Sequence, residues 1–190
     1  MLSLMAAAAS VMPLNAYGVG PRLIADSFTA VTANMTPAGT TLRMQIIEWQ
    51  EPSARSEAVA TLAAGADAAT PLAKLPTVGY VWPNGSPVGY SLKYAHREPQ
   101  ADGRERVTLV TDKRLGSYDF KGWSVASPGA KSDAPYSVIQ LEVDGSGNGT
   151  GTISFVGEVV IDEAAGTVQL NASPGAPSLL TNVKREPKAP

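Results

Sequence analysis

The chain has 190 residues, 44% of them hydrophobic, with a mean hydropathy near zero, which suits a single globular domain with a sizeable core. A net charge of -2 gives no long-range field to hold nucleic acid or an anionic membrane. With no cysteine and one histidine, disulfides, thiolate nucleophiles, thiolate metal sites and zinc sites of several imidazoles are excluded, and neither a metal nor a cofactor is expected.

Residues 2–14 are apolar, too short to span a bilayer, and interrupted by Pro13. They read as the hydrophobic core of a signal peptide, with cleavage after Ala16. The expected organisation is a leader over 1–25, one β-rich domain over 26–186 and a frayed tail over 187–190. Export to the periplasm or the medium follows, with no transmembrane span once the leader is removed.

Residues 27–35 and 41–49 read as strands separated by a turn at Pro37, Ala38 and Gly39, with Leu42, Met44 and Ile46 on one face. Ser53 is a plausible N-cap for a helix over 54–64, with Val59 and Leu62 inward and Gly65 as its stop. A second short helix fits 68–75. Val78, Tyr80 and Trp82 then alternate on a strand, and Tyr90, Leu92 and Tyr94 on the next, so a hairpin is expected to oppose Trp82 to Tyr90 and Tyr80 to Leu92. A turn at Asp102 and Gly103 leads to a strand over 106–111. Residues 112–135 are broken by Gly116, Gly122, Pro128, Gly129 and Pro135, which predicts a long surface loop where function or mobility concentrates.

The clearest pattern lies between Tyr136 and Leu170, an antiparallel meander. Ile139, Leu141 and Val143 alternate with polar or outward residues, as do Ile153 and Phe155, and the expected register sets Val143 opposite Ile153 and Leu141 opposite Phe155. A second turn over 162–166 lets Val168 and Leu170 lie beside Ile161 and Val159. A last strand covers 179–184. The fold expected is α+β, mainly an antiparallel β sandwich or barrel with two short helices inserted after the second strand.

Asp144, Ser146, Asn148 and Gly149 match the opening of a calcium loop, but its twelfth position is Phe155 where a bidentate Glu belongs, and a hairpin turn explains them better. Residues 122–126 approximate a nucleophile elbow without the strand-to-helix turn that exposes its serine. His96, with Glu98 or Asp112 to orient it, is the one acid–base candidate. Tyr80, Trp82, Tyr90 and Tyr94, with Trp123 in the long loop, are candidates for binding a sugar ring or an apolar molecule, although cross-strand aromatics more often pack a core.

Several segments in order carry a resemblance: residues 46–49 followed by the helix from Ser53; Leu75, Pro76, Val78, Gly79 and Tyr80; Gly89, Tyr90, Leu92, Tyr94 and Ala95; Asp102 and Gly103; Thr111 and Asp112; the hairpin over 139–151; and residues 180–184. Together they resemble a family of uncharacterised secreted bacterial proteins, a domain of unknown function. The resemblance implies export and a single domain and brings no catalytic residues. The leading expectation is an exported module that binds a small apolar ligand or an envelope partner. The alternatives are a hydrolase- or isomerase-like enzyme using His96 with a carboxylate, and a structural envelope-assembly protein.

Overall fold

In the computed structural model, residues 24–36, 38–84, 86–118, 123–125, 134–154, 158–171 and 178–187 are described. The leader assigned to 1–25 therefore falls, except for Ile24 and Ala25, outside the described residues, as does the tail beyond Pro187.

The strands form where the period-two pattern lies. In chain order they are β1 (Asp26–Ala33), β2 (Met35–Thr36) and β3 (Thr41–Ile46), then the helices α1 (Pro52–Leu62) and α2 (Ala69–Lys74), then β4 (Gly79–Pro83), β5 (Tyr90–Pro99), β6 (Glu105–Thr111), β7 (Ser124–Val125), β8 (Val138–Val143), β9 (Asn148–Ile153), β10 (Glu158–Asp162), β11 (Thr167–Asn171) and β12 (Ser178–Arg185). Eight of them close into an antiparallel barrel in the order β1-β12-β9-β8-β6-β5-β4-β3. The fold is α+β and mostly β, and the two short helices follow the barrel's second strand, β3. Each barrel strand pairs with its successor along the chain, and β12 pairs with both β9 and β1 to shut the ring. β2 with β7 and β10 with β11 make small ribbons outside it.

An eight-stranded barrel has an interior about wide enough for side chains. Phe28, Met44, Ile46, Val81, Leu92, Leu109, Leu141 and Leu180 point inward and are essentially inaccessible to water. β5, β6 and β8 bury their outer face as well. Tyr94, Val110 and Val138 pack under Val59 and Leu62 of α1, Leu72 of α2 and Val168 of β11. This second layer explains the adjacent apolar pairs Leu109-Val110 and Val138-Ile139, which one buried face would not require.

Several expectations about register and capping are corrected. β8 and β9 pair Val143 with Gly149, Leu141 with Gly151 and Ile139 with Ile153. Relative to Val143 opposite Ile153, the strands slip by four residues, 153 against 149, which preserves the faces. Phe155 lies outside the described residues. The shorter turn wins because Gly149 and Gly151 lie against the backbone oxygens of Glu142 and Gln140, where a Cβ has no room. Gly147, at φ +84, supplies the left-handed step.

In the β4–β5 hairpin, Val81 opposes Tyr90, Tyr80 opposes Ser91 and Gly79 opposes Leu92. Trp82 and Tyr80 therefore face outward, opposite Arg43 and Gln45 of β3. β5 then carries a bulge at Lys93: Leu92 pairs with Thr111 but Tyr94 with Val110. The bulge turns Tyr94 and His96 outward, so Tyr94 does not share a face with Tyr90 and Leu92. α1 begins at Pro52, with Glu51 rather than Ser53 at the N-cap and no side-chain cap bond. Pro52 suits this first position because its missing N–H would have had no helical partner.

Candidate functional site

β3 and β4 meet at the barrel end that also holds Asp26, the 99–105 turn and the β8–β9 turn. There the chain leaves β3, crosses the lower half of β5 and enters α1. Gln50 fixes this crossing: its backbone N–H donates to Ala95 O at 3.3 Å, its Nε2 donates to Lys93 O at 3.2 Å, and its Oε1 accepts from Ala95 N at 3.0 Å. β4 pairs only with the first residues of β5, so Gln50 satisfies strand groups that β4 leaves unpaired.

The other wall returns from α2 through Leu75 and Pro76 to β4. It is pinned by Lys93, the bulge residue, only 5% exposed. Its ammonium donates to Ala73 O at 3.2 Å, Leu75 O at 2.8 Å and Thr77 Oγ1 at 3.0 Å, which uses all three protons on carbonyls left at a helix end and on one hydroxyl.

Between these walls lies a cleft of about 320 Å³. Trp49, Ala54, Leu75, Pro76 and Val78 give it an apolar lining, and Glu48, Gln50, Glu51 and Glu57 give it polar groups. The three glutamates are exposed, and among the described residues no ion pair engages them. The guanidinium of Arg97 packs 5.2 Å from the centroid of the Trp49 ring.

Arg97 leads to a charged cluster beside the cleft. Arg185 ion-pairs with Glu105 and, at 3.4 Å, with Asp26, and lies 5.0 Å from the Phe28 ring centroid. Arg97 reaches Glu105 at 4.0 Å. Burial raises the Asp26 carboxyl above the usual carboxylate range, against the opposing pull of Arg185. The cluster ties β1, β5, β6 and β12 together where the barrel ends.

The residues singled out from the sequence do not converge. His96 lies on the outer face of β5 under α1, where Arg55 Nη1 stands 2.8 Å from its Nδ1. A guanidinium can only donate, so Nδ1 accepts and Nε2 carries the proton. Burial, then the Arg55 charge, lowers the His96 pKa, with Glu98 opposing them. Glu98 is exposed two residues along. Asp112 is at the opposite barrel end, where its Oδ1 accepts from Ser91 N at 3.2 Å. His96 lies five residues along β5 from Ser91, roughly 15 Å, so Asp112 does not orient this imidazole.

The aromatic candidates occupy separate environments. Tyr80 and Trp82 lie outside β4 with ring centroids 5.4 Å apart, and Arg43 sits 4.8 Å from the Trp82 ring. Tyr90 is inside the barrel, its hydroxyl accepting from Gly116 N at 2.9 Å and Tyr118 N at 3.3 Å. Trp123 closes that same end against Gly116, alongside Leu115. Tyr94 is buried under the helices, where its hydroxyl donates to Gly166 O at 3.3 Å and its pKa is pushed up to about 12 by burial. The long loop expected over 112–135 thus sends Leu115 and Trp123 into the core.

In the calcium-like turn, Asp144 Oδ1 accepts from Ser146 N, Ser146 Oγ and Asn148 N, so the turn satisfies its own carboxylate. Among the described residues no group of three metal-ligating side chains gathers, and no helix is long and apolar enough to cross a membrane. Of the elbow-like residues, Ser124 lies in β7, paired with β2, while Gly122 and Ala126 are outside the described residues. Sequence reasoning missed Trp49 as a site residue. Its signal was the run Glu48-Trp49-Gln50-Glu51-Pro52, an aromatic among carboxylates at a strand-to-helix junction.

No protein-family model matches the chain, and neither a curated protein nor a solved structure matches it.

Proposed function

We propose that this chain is an exported binding module whose ligand site is the cleft between α1 and the α2–β4 connection. One observation carries the reading. An open hollow with an indole and four further apolar residues in its lining is held by two polar staples, the half-buried Gln50 and the buried Lys93, whose hydrogen bonds fix its two walls. Pockets for small molecules have this mix of apolar wall and few polar groups. The apolar first stretch and the resemblance to secreted bacterial proteins support export.

The enzyme alternative draws less support, since the imidazole of His96 meets Arg55 and Asp112 lies at the other barrel end. The assembly alternative relied on free strand edges, and the barrel itself closes without one.

The test is mass spectrometry of the protein purified gently from its own host, under native and then denaturing conditions. A removed leader and a discrete extra mass that Trp49→Ala loses is the expected result. Retention of the extra mass by Trp49→Ala moves the site elsewhere, and an uncleaved chain overturns export.

A further inference from the structure

We infer that the cleft recognises a small organic cation, an ammonium carried on a short aryl or alkyl group. This rests on the cleft being the ligand site and adds the class of ligand. Three observations carry it.

The first is charge. Glu48, Glu51 and Glu57 all border the cleft, and among the described residues no lysine or arginine lines it. Charges left without an ion-pair partner around a hollow focus potential into it, and the favoured occupant has the opposite sign. The second is the floor. Trp49 is the aromatic side chain best suited to hold a cation against its ring, and this ring already accepts the Arg97 guanidinium at 5.2 Å. The third is size. At about 320 Å³ the hollow is near the small end of ligand pockets, which run from roughly 300 Å³ upward. Leu75, Pro76 and Val78 would pack the apolar body while the carboxylates take the charged head. An anionic ligand would face three carboxylates against one nearby cation, Arg97, which is already shared with Trp49 and Glu105, so the same geometry disfavours it.

A matched probe series separates this inference from the reading beneath it. 3-Phenylpropylamine, 3-phenylpropanol and 3-phenylpropionate share one body and differ in charge. Each is titrated into the full-length protein, with the indole N–H signal of Trp49, assigned through Trp49→Phe, as the readout. The amine is expected to bind about tenfold tighter than the alcohol at low ionic strength, with the carboxylate weakest, and half a molar salt should remove most of that preference. Glu48→Gln, Glu51→Gln and Glu57→Gln combined should abolish the amine's preference, so that amine and alcohol bind alike in that variant. These side chains are exposed and have no ion-pair partner among the described residues, and a melting curve confirms that the triple variant is folded.

If amine and alcohol bind equally, the cleft remains a ligand site and the cation inference falls. If the amine keeps its preference in the triple variant, the carboxylates are not the recognising groups and the inference also falls. If none of the three moves the Trp49 signal, the site itself is wrong.

Discussion

Replacing Lys93 by Met keeps an unbranched stem of similar length in the bulge and deletes only the ammonium. Three charge-assisted hydrogen bonds disappear, to Ala73 O, Leu75 O and Thr77 Oγ1. A hydrogen bond from a charged donor contributes roughly 1.5–3 kcal/mol net, so three represent several kcal/mol. Holding an ammonium away from water costs a comparable amount and offsets much of this. Ala73 is exposed and its carbonyl can turn to water, whereas Leu75 and Thr77 are half-buried and hydrate less freely. The balance is a loss of about 2 kcal/mol, which for a domain of this size lowers Tm by about 4–8 °C. Urea unfolding followed by tryptophan fluorescence should show the lower midpoint with an unchanged slope. Thr77→Val, which removes one of the three acceptors, should cost about 0.5–1 kcal/mol. A Lys93→Met protein as stable as the parent, or more so, would refute the reasoning. The ammonium would then be a buried burden and not what pins the cleft wall.

Gly149→Ala drives a Cβ into the Glu142 carbonyl across the β8–β9 ladder, so a loss of about 3 kcal/mol by chemical denaturation is expected; a change under about 1 kcal/mol would contradict the observed register. His96 has a folded pKa below its unfolded value, so the unfolded chain takes up the proton first. The stability from this site is complete above about pH 6.5 and is lost as pH falls below that and through the lower folded value. His96→Gln should flatten the dependence of Tm on pH between about 7 and 5, and an unchanged slope would show that burial and Arg55 together do not disfavour the protonated ring. Gly89→Ala should loosen the Trp82 indole, which lies where the added methyl would go. A red-shifted emission lost in Trp82→Phe checks this.

Much of the fold was legible because one face of most strands is apolar at a period of two. The β10–β11 register was read correctly, with Ile161 beside Val168 and Val159 beside Leu170, since both strands and their turn carry strong local signals. The β8–β9 slip was not legible. Apolar alternation fits either register, and what decides is the room beside a carbonyl that only Gly149 and Gly151 leave. Nor does alternation betray the bulge at Lys93, because the run Tyr90, Leu92, Tyr94 continues smoothly across it. Barrel closure depends on β1 meeting β12, a pairing of the domain's two ends that no local window contains. The cleft was hidden for the same reason: Trp49 and Leu75 are distant in sequence, and Gln50 and Lys93, which bring them together, read as ordinary polar residues.

The central claim is that a ligand enters at Trp49 and not at the outer aromatic pair of β4. The three indoles of the chain, Trp49, Trp82 and Trp123, make one experiment decisive. Labelled protein is titrated with the small-molecule fraction of its own host, and the three indole N–H signals are followed together. The expected result is a saturable shift of Trp49, with Trp82 and Trp123 unmoved. A shift of Trp82 in its place would contradict the account and move the site to the β3–β4 face beside Arg43 and Tyr80.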